Sequence, residues 1–238
     1  MNILSSIDKK RIIEFSPKLR DWFVNNGRDL PWRKTRNPYK ILVSEIMAQQ
    51  TQLKNVIPIY KRFLKRYPTI TELANSNIED LRQITDNLGY KRRGDYLHEI
   101  AKILVEKKDG KIPDTLEELL ELPGIGKYTA GAILSFSYEK RVPIVDVNVE
   151  RVLGRFFNLQ TNSGTAEHEK TLWALADALM PDEKQGRTIW EHNQGIMELG
   201  ALICVSGKPK CLLCPINEIC EYYASSVKQL TLDSFFIS

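Results

Sequence analysis

The sequence predicts an all-α fold, and three features of its residue pattern support that class. Apolar residues recur at helical spacing along most of the 238-residue chain. No segment shows the apolar–polar alternation of a half-buried strand, and no internal repeat of solenoid length is present. A Pro-Gly-x-Gly turn at residues 123–126 separates two helical patterns, and Pro143 ends the second of them.

The predicted helices follow from this spacing in chain order. The first has Ile12, Phe15 and Leu19 on one side, and a loop over residues 27–38 comes after it. Pro38 opens the second helix, because proline is tolerated in a first turn. Each later helix is a run of apolar residues at helical spacing between polar or proline breaks. The predicted helices cover residues 7–25, 39–51, 53–67, 78–87, 94–108, 114–120, 127–138, 147–157, 167–180 and 188–204.

Composition is that of a globular protein with one large domain or two small ones. Apolar residues make up 42% of the chain, charged residues 27%, and the net charge is +4. No run of about 18 apolar residues and no secretory signal is present, so we expect an intracellular protein with reduced cysteines. Basic residues cluster, which is typical either of a solvated helix face or of a nucleic-acid partner. The clusters are Lys61, Arg62, Lys65 and Arg66; Lys91, Arg92 and Arg93; and Lys208 and Lys210.

The glycine turn at residues 123–126 and the acid that follows it form a candidate site. A glycine-rich turn before a helix binds anions, because free backbone N–H groups and the helix dipole point at the ligand. Asp146 then stands alone in an apolar segment. Its carboxylate could stabilise a sugar cation on DNA, or it could simply cap the helix that begins at Val147. The two roles are compatible.

All four cysteines lie in one short segment, which indicates a metal site. Cys204, Cys211, Cys214 and Cys220 are spaced C-x6-C-x2-C-x5-C. Structural zinc and an iron–sulfur cubane both take four thiolates, and the spacing leaves both open. In either case the loop presents Lys208 and Lys210 and is expected to act as a structural staple.

These features together resemble the helix-hairpin-helix DNA glycosylases of the endonuclease III superfamily. The resemblance rests on the segment L-P-G-I-G-K-Y-T-A at 122–130, on Asp146 and on the cysteine loop, and it covers roughly residues 8 to 224. It implies a two-lobed fold: a six-helix barrel over 30–139, a second lobe from 1–29 and 140–224 that holds one [4Fe–4S] cluster, and a flexible tail over 225–238. Residues 43–52, V-S-E-I-M-A-Q-Q-T-Q, resemble the branch of adenine and archaeal thymine mismatch glycosylases.

The resemblance assigns the chemistry residue by residue. Asp146 would stabilise an oxocarbenium-like sugar and activate water, with Asn148 and Tyr128 close to the sugar. Simple core packing is the alternative for Tyr128. Bifunctional relatives carry a lysine at that position to form a Schiff base. Lys127 is one residue away, which turns its side chain by about 100°, so we expect little lyase activity.

The base pocket and the DNA contacts are also implied. Glu45 matches the acid that protonates adenine, and a buried carboxyl retains a proton to donate; a surface glutamate is the alternative. Gln50, Leu88 and Tyr90 match residues that fill the gap left by the flipped base, and the basic run 91–93 is expected to contact phosphate. Gly124, Gly126 and Lys127 would hold a phosphate at the hairpin, with a monovalent cation as in relatives.

The carboxy-terminal residues resemble a peptide that docks on the sliding clamp (PCNA) of archaea and eukaryotes. Gln229, Leu232, Phe235 and Phe236 fit Q-x-x-L-x-x-F-F. A tail that folds back on its own surface is the alternative. The clamp interpretation favours an archaeal source.

The expected function is removal of mispaired thymine or uracil opposite guanine in base excision repair. The chain ends at Ser238, without the further domain usual in adenine enzymes, and Asp146-Val147-Asn148 departs from their Asp-Gly-Asn. Removal of adenine opposite 8-oxoguanine or guanine is the alternative, because Glu45 and Tyr90 suit it. A non-catalytic DNA-damage-binding protein with a zinc loop is a more distant one. We expect a cytoplasmic, nucleoid-associated monomer whose partner is mismatched double-stranded DNA.

Overall fold

A computed structural model describes residues 8–89, 91–161, 163–182 and 188–226. Within these ranges the chain is helical and contains no strand, which confirms the all-α prediction. No helix in them is long and apolar enough to cross a membrane. The helices are α1 Lys9–Asn26, α2 Pro38–Ala48, α3 Leu53–Arg66, α4 Ile70–Ala74, α5 Ile78–Thr85, α6 Arg92–Lys108, α7 Leu116–Leu120, α8 Lys127–Tyr138, α9 Val147–Phe156, α10 Ala166–Ala178 and α11 Thr188–Leu202, with short 3₁₀ turns at Pro31–Lys34, Asp86–Leu88, Cys211–Leu213 and Asn217–Ile219.

The chain divides into two compact units. One contains residues 29–140, and the other contains residues 1–28 and 141–238. In the first unit every residue of α2 from Ile41 to Met47 is buried, and the helix packs against α3, α6 and α8. A helix that is buried on all sides over two turns belongs in the centre of a domain, so this unit is built around α2.

The second unit forms around a core shared by α1, α9, α10 and α11. Helix α11 packs against α1 and α9, and α9 also packs against α10. Phe15 and Phe156 meet edge to face with ring centroids 4.9 Å apart, a favourable aromatic geometry. Glu198 is fully buried and pairs with Arg28, whose Nε and Nη2 donate to its two oxygens at 2.8 and 2.9 Å.

The structure corrects several predicted helix ends, and local chemistry explains each correction. Helix α2 stops at Ala48 and not at residue 51, because Gln50 adopts a φ of 53° that no α-helix accommodates. Helix α7 begins after Thr115, whose side chain accepts from the Glu118 N–H. The sequence analysis missed α4 altogether, although Thr69 and Glu72 form a complete capping box before it.

Candidate active site and cysteine loop

Asp146 lies at the amino-terminal end of α9 and caps it. One carboxylate oxygen accepts from the backbone N–H groups of Asn148 and Val149 at 2.9 and 2.8 Å. The other accepts from the Asn148 side-chain amide at 2.9 Å. The capping role considered from the sequence is therefore present. Because three N–H donors suit an ionised carboxylate, the cap also fixes the position of a negative charge.

Arg151 connects this cap to the beginning of the cysteine loop. Its Nη2 donates to Asn148 Oδ1 and to the Gly200 carbonyl, each at 2.8 Å, and its Nε donates to the Cys204 carbonyl at 2.7 Å. The same Asn148 donates to Asp146. A continuous chain of hydrogen bonds thus runs from the first cysteine to the candidate acid.

Gly200 allows α11 to approach the amino-terminal end of α9 closely. A Cβ atom at this position would lie 2.8 Å from Asn148 Cβ and 3.0 Å from its carbonyl oxygen. Atoms of real side chains do not approach so closely. Position 200 therefore requires glycine for as long as Asn148 holds its present place beside Asp146.

The four cysteines line a single cavity between α9, α11 and the loop that follows α11. Arg155 lies beside it: its Nη1 is 3.4 Å from Cys204 Sγ and donates to the Val205 carbonyl at 2.7 Å. Burial raises the pKa of the Cys214 thiol to about 12, so a ligand that needs thiolates must displace protons. Arg155 thus places a guanidinium beside the Cys204 sulfur, which suits a ligand that carries negative charge.

Among the described residues, no three His, Cys, Asp or Glu side chains form a group that could hold a metal ion. Structural zinc draws its ligand sulfurs to about 2.3 Å, whereas a cubane carries its irons at separate corners. Four cysteines around one cavity supply the four thiolates that a cubane takes.

In the other unit, Glu45 is buried in α2. Only 7% of its surface is exposed, so it is not the surface glutamate considered as the alternative. Its neighbours along the helix, Ser44 and Ile46, are more deeply buried still. A carboxyl in this setting can act as a proton donor to a group that enters its pocket.

The hairpin turn contacts Gln49, the residue that follows α2, and Tyr96 of α6. Gly124 has a φ of +73°, and a Cβ atom there would lie 2.5 Å from the Tyr96 ring. Gln49 donates to the Gly124 carbonyl at 3.2 Å. Gly126 is the N-cap of α8 and has no side chain with which to cap it. The first amides of α8 are therefore oriented as in an anion site.

The remaining predicted DNA contacts differ in exposure. Gln50 and Lys127 are exposed, Tyr128 is half-buried, and Leu88 is buried. Tyr90 and the clamp-peptide residues Gln229, Leu232, Phe235 and Phe236 lie outside the described residues.

One expectation for the basic run 91–93 is wrong. Lys91 and Arg92 are exposed, but Arg93 is fully buried and cannot contact phosphate from that position. Its Nη2 instead donates to the Gln49 carbonyl and, at 2.9 Å, to Thr51 Oγ1.

The structure brings the predicted residues together in two groups, one in each unit. In one unit Asp146 and Asn148 bond to each other and, through Arg151, to the beginning of the cysteine loop. In the other unit the predicted Gly124 accepts from Gln49, which was not among the predicted site residues. The sequence analysis missed Arg151, Arg155 and Gly200. The one local signal was the i, i+3 spacing of Asn148 and Arg151.

Fold and site together define the class of protein. Residues 43–178 match the HhH-GPD superfamily of base excision DNA repair proteins, and the chain belongs to that superfamily. The resemblance inferred from the sequence is confirmed.

Among curated proteins, the chain is similar to adenine DNA glycosylases. Adenine DNA glycosylase of Buchnera aphidicola subsp. Schizaphis graminum is 40% identical over 213 residues, which are 89% of this chain and 60% of that protein. The Homo sapiens adenine DNA glycosylase is 37% identical over 90% of this chain and 40% of its own. The chain thus spans about three-fifths, or less, of the curated relatives it matches.

Among solved structures, the chain is similar to a thymine-DNA glycosylase and to endonuclease III. A thermostable thymine-DNA glycosylase is 31% identical, has a TM-score of 0.82, and aligns over 91% of this chain and 98% of its own. A trapped endonuclease III–DNA covalent intermediate is 25% identical, with a TM-score of 0.74 over 93% and 99% of the two chains.

Proposed function

We propose that this protein is a monofunctional DNA glycosylase that hydrolyses the N-glycosidic bond of a mispaired base. The observation that carries the proposal is the Asp146 carboxylate, which three N–H donors fix at the amino-terminal end of α9. Departure of a base leaves positive charge on the sugar. A negative charge that needs no rearrangement stabilises that transition state most effectively. The same carboxylate can orient the attacking water.

The absence of a lyase step follows from the residue at position 128. A Schiff base requires a lysine amine directed at C1′ of the sugar. Tyr128 takes the place where lyase relatives carry that lysine, and Lys127 projects about 100° away on α8. The product is therefore an abasic site with an intact backbone, and borohydride should trap no covalent adduct.

Adenine opposite guanine or 8-oxoguanine is the target base that we propose first. The curated relatives at 39–40% identity are named adenine DNA glycosylases, and they outweigh the sequence-based preference for thymine, which is not confirmed. Glu45 supports this choice, because adenine is a poor leaving group unless a buried acid protonates it. The substrate given in a relative's name is the substrate of that relative, so the choice for this chain requires a direct test.

Thymine or uracil opposite guanine is the second candidate. It is favoured by the thymine-DNA glycosylase structure, which aligns with this chain over 98% of its own length. Thymine leaves as a stabilised anion and needs less help from an acid. The two candidates thus differ in how far they depend on Glu45.

The deciding experiment offers duplexes with A·G, A·8-oxoG, T·G and U·G pairs and measures abasic-site formation. We expect release of adenine, a loss of about 10²–10⁴-fold in Glu45→Gln, and no release in Asp146→Asn. Release of thymine or uracil alone, unaffected by Glu45→Gln, would establish the second candidate. A protein that binds these duplexes and releases no base would be the non-catalytic damage sensor.

We also propose that Cys204, Cys211, Cys214 and Cys220 hold one [4Fe–4S] cluster with a structural role. The support is the shared cavity and the guanidinium of Arg155 at 3.4 Å from Cys204 Sγ. The cluster would fix the loop that carries Lys208 and Lys210, both of which are exposed and available to phosphate. The purified protein should be brown, absorb near 400 nm and contain iron and sulfide in equal amounts. A colourless protein with one zinc per chain would contradict this.

Two interactions complete the proposal. The hairpin amides around Gly124 and Gly126 would hold a DNA phosphate, with a monovalent cation between them, and such contacts position the duplex without reading its sequence. Gln229, Leu232, Phe235 and Phe236 would dock on a sliding clamp. Binding of a synthetic peptide of residues 225–238 to an archaeal clamp, compared with a Phe235→Ala and Phe236→Ala peptide, tests the second interaction.

A further inference from the structure

The turn between α2 and α3 has an unusual backbone. Gln50 has a φ of 53°, in the left-handed region that residues other than glycine rarely occupy. The Thr51 N–H closes the turn on the Ala48 carbonyl at 3.2 Å. Non-glycine residues keep such a conformation only where their surroundings impose it. Neighbouring residues must therefore hold this turn.

Arg93 of α6 holds the turn between α2 and α3 through hydrogen bonds. Its side chain is fully buried. Its Nη2 donates to the Gln49 carbonyl and to Thr51 Oγ1, and Thr51 Oγ1 in turn donates to the Leu88 carbonyl at 2.8 Å. One guanidinium and one hydroxyl thus join the turn after α2 to the 3₁₀ turn Asp86–Leu88.

Burying a guanidinium in a core carries a large free-energy cost of desolvation. Apolar side chains of similar volume usually stabilise a protein as well or better, so packing alone does not account for Arg93. Of the two residues in these segments that are expected to enter DNA when the target base leaves the stack, Gln50 is exposed. Leu88 is buried, and its carbonyl anchors the turn. An exposed side chain that must insert gains from a rigid support, since preorganisation removes the cost of ordering it.

We propose that Arg93 is a positioning residue that, through Thr51, holds the exposed Gln50 in a conformation preformed for insertion into the duplex. The part concerning DNA rests on the proposed function. The hydrogen bonds that hold the turn are present in the free protein, so their role can be tested without DNA.

The first experiment measures hydrogen exchange of the peptide amides at residues 50–53 in the free protein. Thr51→Val removes the bridging hydroxyl at nearly constant volume, and Thr51→Ser keeps the hydroxyl. We expect about tenfold faster exchange in Thr51→Val and in Arg93→Met, and exchange near the original rate in Thr51→Ser. The matched control is Arg82→Met, which removes a guanidinium that bonds Asp95 at 2.8 Å and should leave residues 50–53 unchanged. Unchanged exchange in Thr51→Val would overturn the proposal.

The second experiment follows duplex opening by the fluorescence of 2-aminopurine placed beside the mismatch. We expect Thr51→Val to lose most of the fluorescence rise at saturating protein, while Thr51→Ser retains it and global melting temperatures stay close. Base release in a single turnover should fall about tenfold in Thr51→Val. Full fluorescence in Thr51→Val would overturn the proposal. If the original protein opens the duplex but releases no base, the proposed function fails. The positioning role of Arg93 is then still decided by hydrogen exchange and by 2-aminopurine fluorescence.

Discussion

Replacing Gly200 by alanine should impair catalysis far more than DNA binding. The added Cβ would lie 2.8 Å from Asn148 Cβ, whereas carbon atoms in contact stand about 3.5–4.0 Å apart. Asn148 must then move by roughly 0.7–1.2 Å, and Asp146 with it, because Asn148 supplies two of its three hydrogen bonds. A displacement of about 1 Å at a reacting group costs on the order of 10²-fold in rate. Overpacking should lower the free energy of unfolding by about 1–3 kcal/mol.

The assay is single-turnover base release from the best mismatch duplex, together with the dissociation constant for an abasic-site duplex and a thermal melt. Gly154→Ala is the matched control, because Gly154 lies within α9 and a Cβ there would meet nothing within 4 Å. It should gain about 0.5–1 kcal/mol from helix propensity and keep the original rate. Original rate and stability in Gly200→Ala would refute the reasoning, and so would an equal loss of rate in Gly154→Ala.

Three further predictions concern other parts of the molecule. Tyr128→Lys should gain a borohydride-trapped adduct with DNA that Tyr128→Phe lacks, because it places an amine where the lyase relatives have one; no adduct would show that position 128 does not face the sugar. Arg28→Met should cost about 3–5 kcal/mol in urea unfolding, since it leaves the Glu198 carboxylate buried without its guanidinium, and a cost below about 1 kcal/mol would contradict this. Burial lowers the pKa of His192 to about 3, so the folded state favours the neutral imidazole. The free energy of unfolding should therefore keep its full value above about pH 6.5 and fall by roughly 1.4 kcal/mol per pH unit as the pH drops towards 3. His192→Gln should flatten that acid limb, which urea titrations between pH 4 and 7 measure, and an unchanged slope would exclude His192 as its source.

Local chemistry made much of the fold predictable. The bounds of α8 coincide with the prediction, because Gly126 and the break before Pro143 define its ends within a few residues. Helix α9 begins where the lone Asp146 was expected to cap it. The failures are local too: α4 is a single capped turn, too short for apolar periodicity to reveal.

The sequence by itself determined the all-α class, the superfamily, the candidate acid and the four cysteines, since each of these is recorded in a short run of neighbouring residues. Only the tertiary structure decided what supports them. In the sequence Arg93 is one more basic residue beside Lys91 and Arg92, yet α6 places it in the core. Arg151 and Gly200 gain their roles from the approach of α11 to α9. Contacts between residues some fifty positions apart depend on helix packing, which no local pattern encodes.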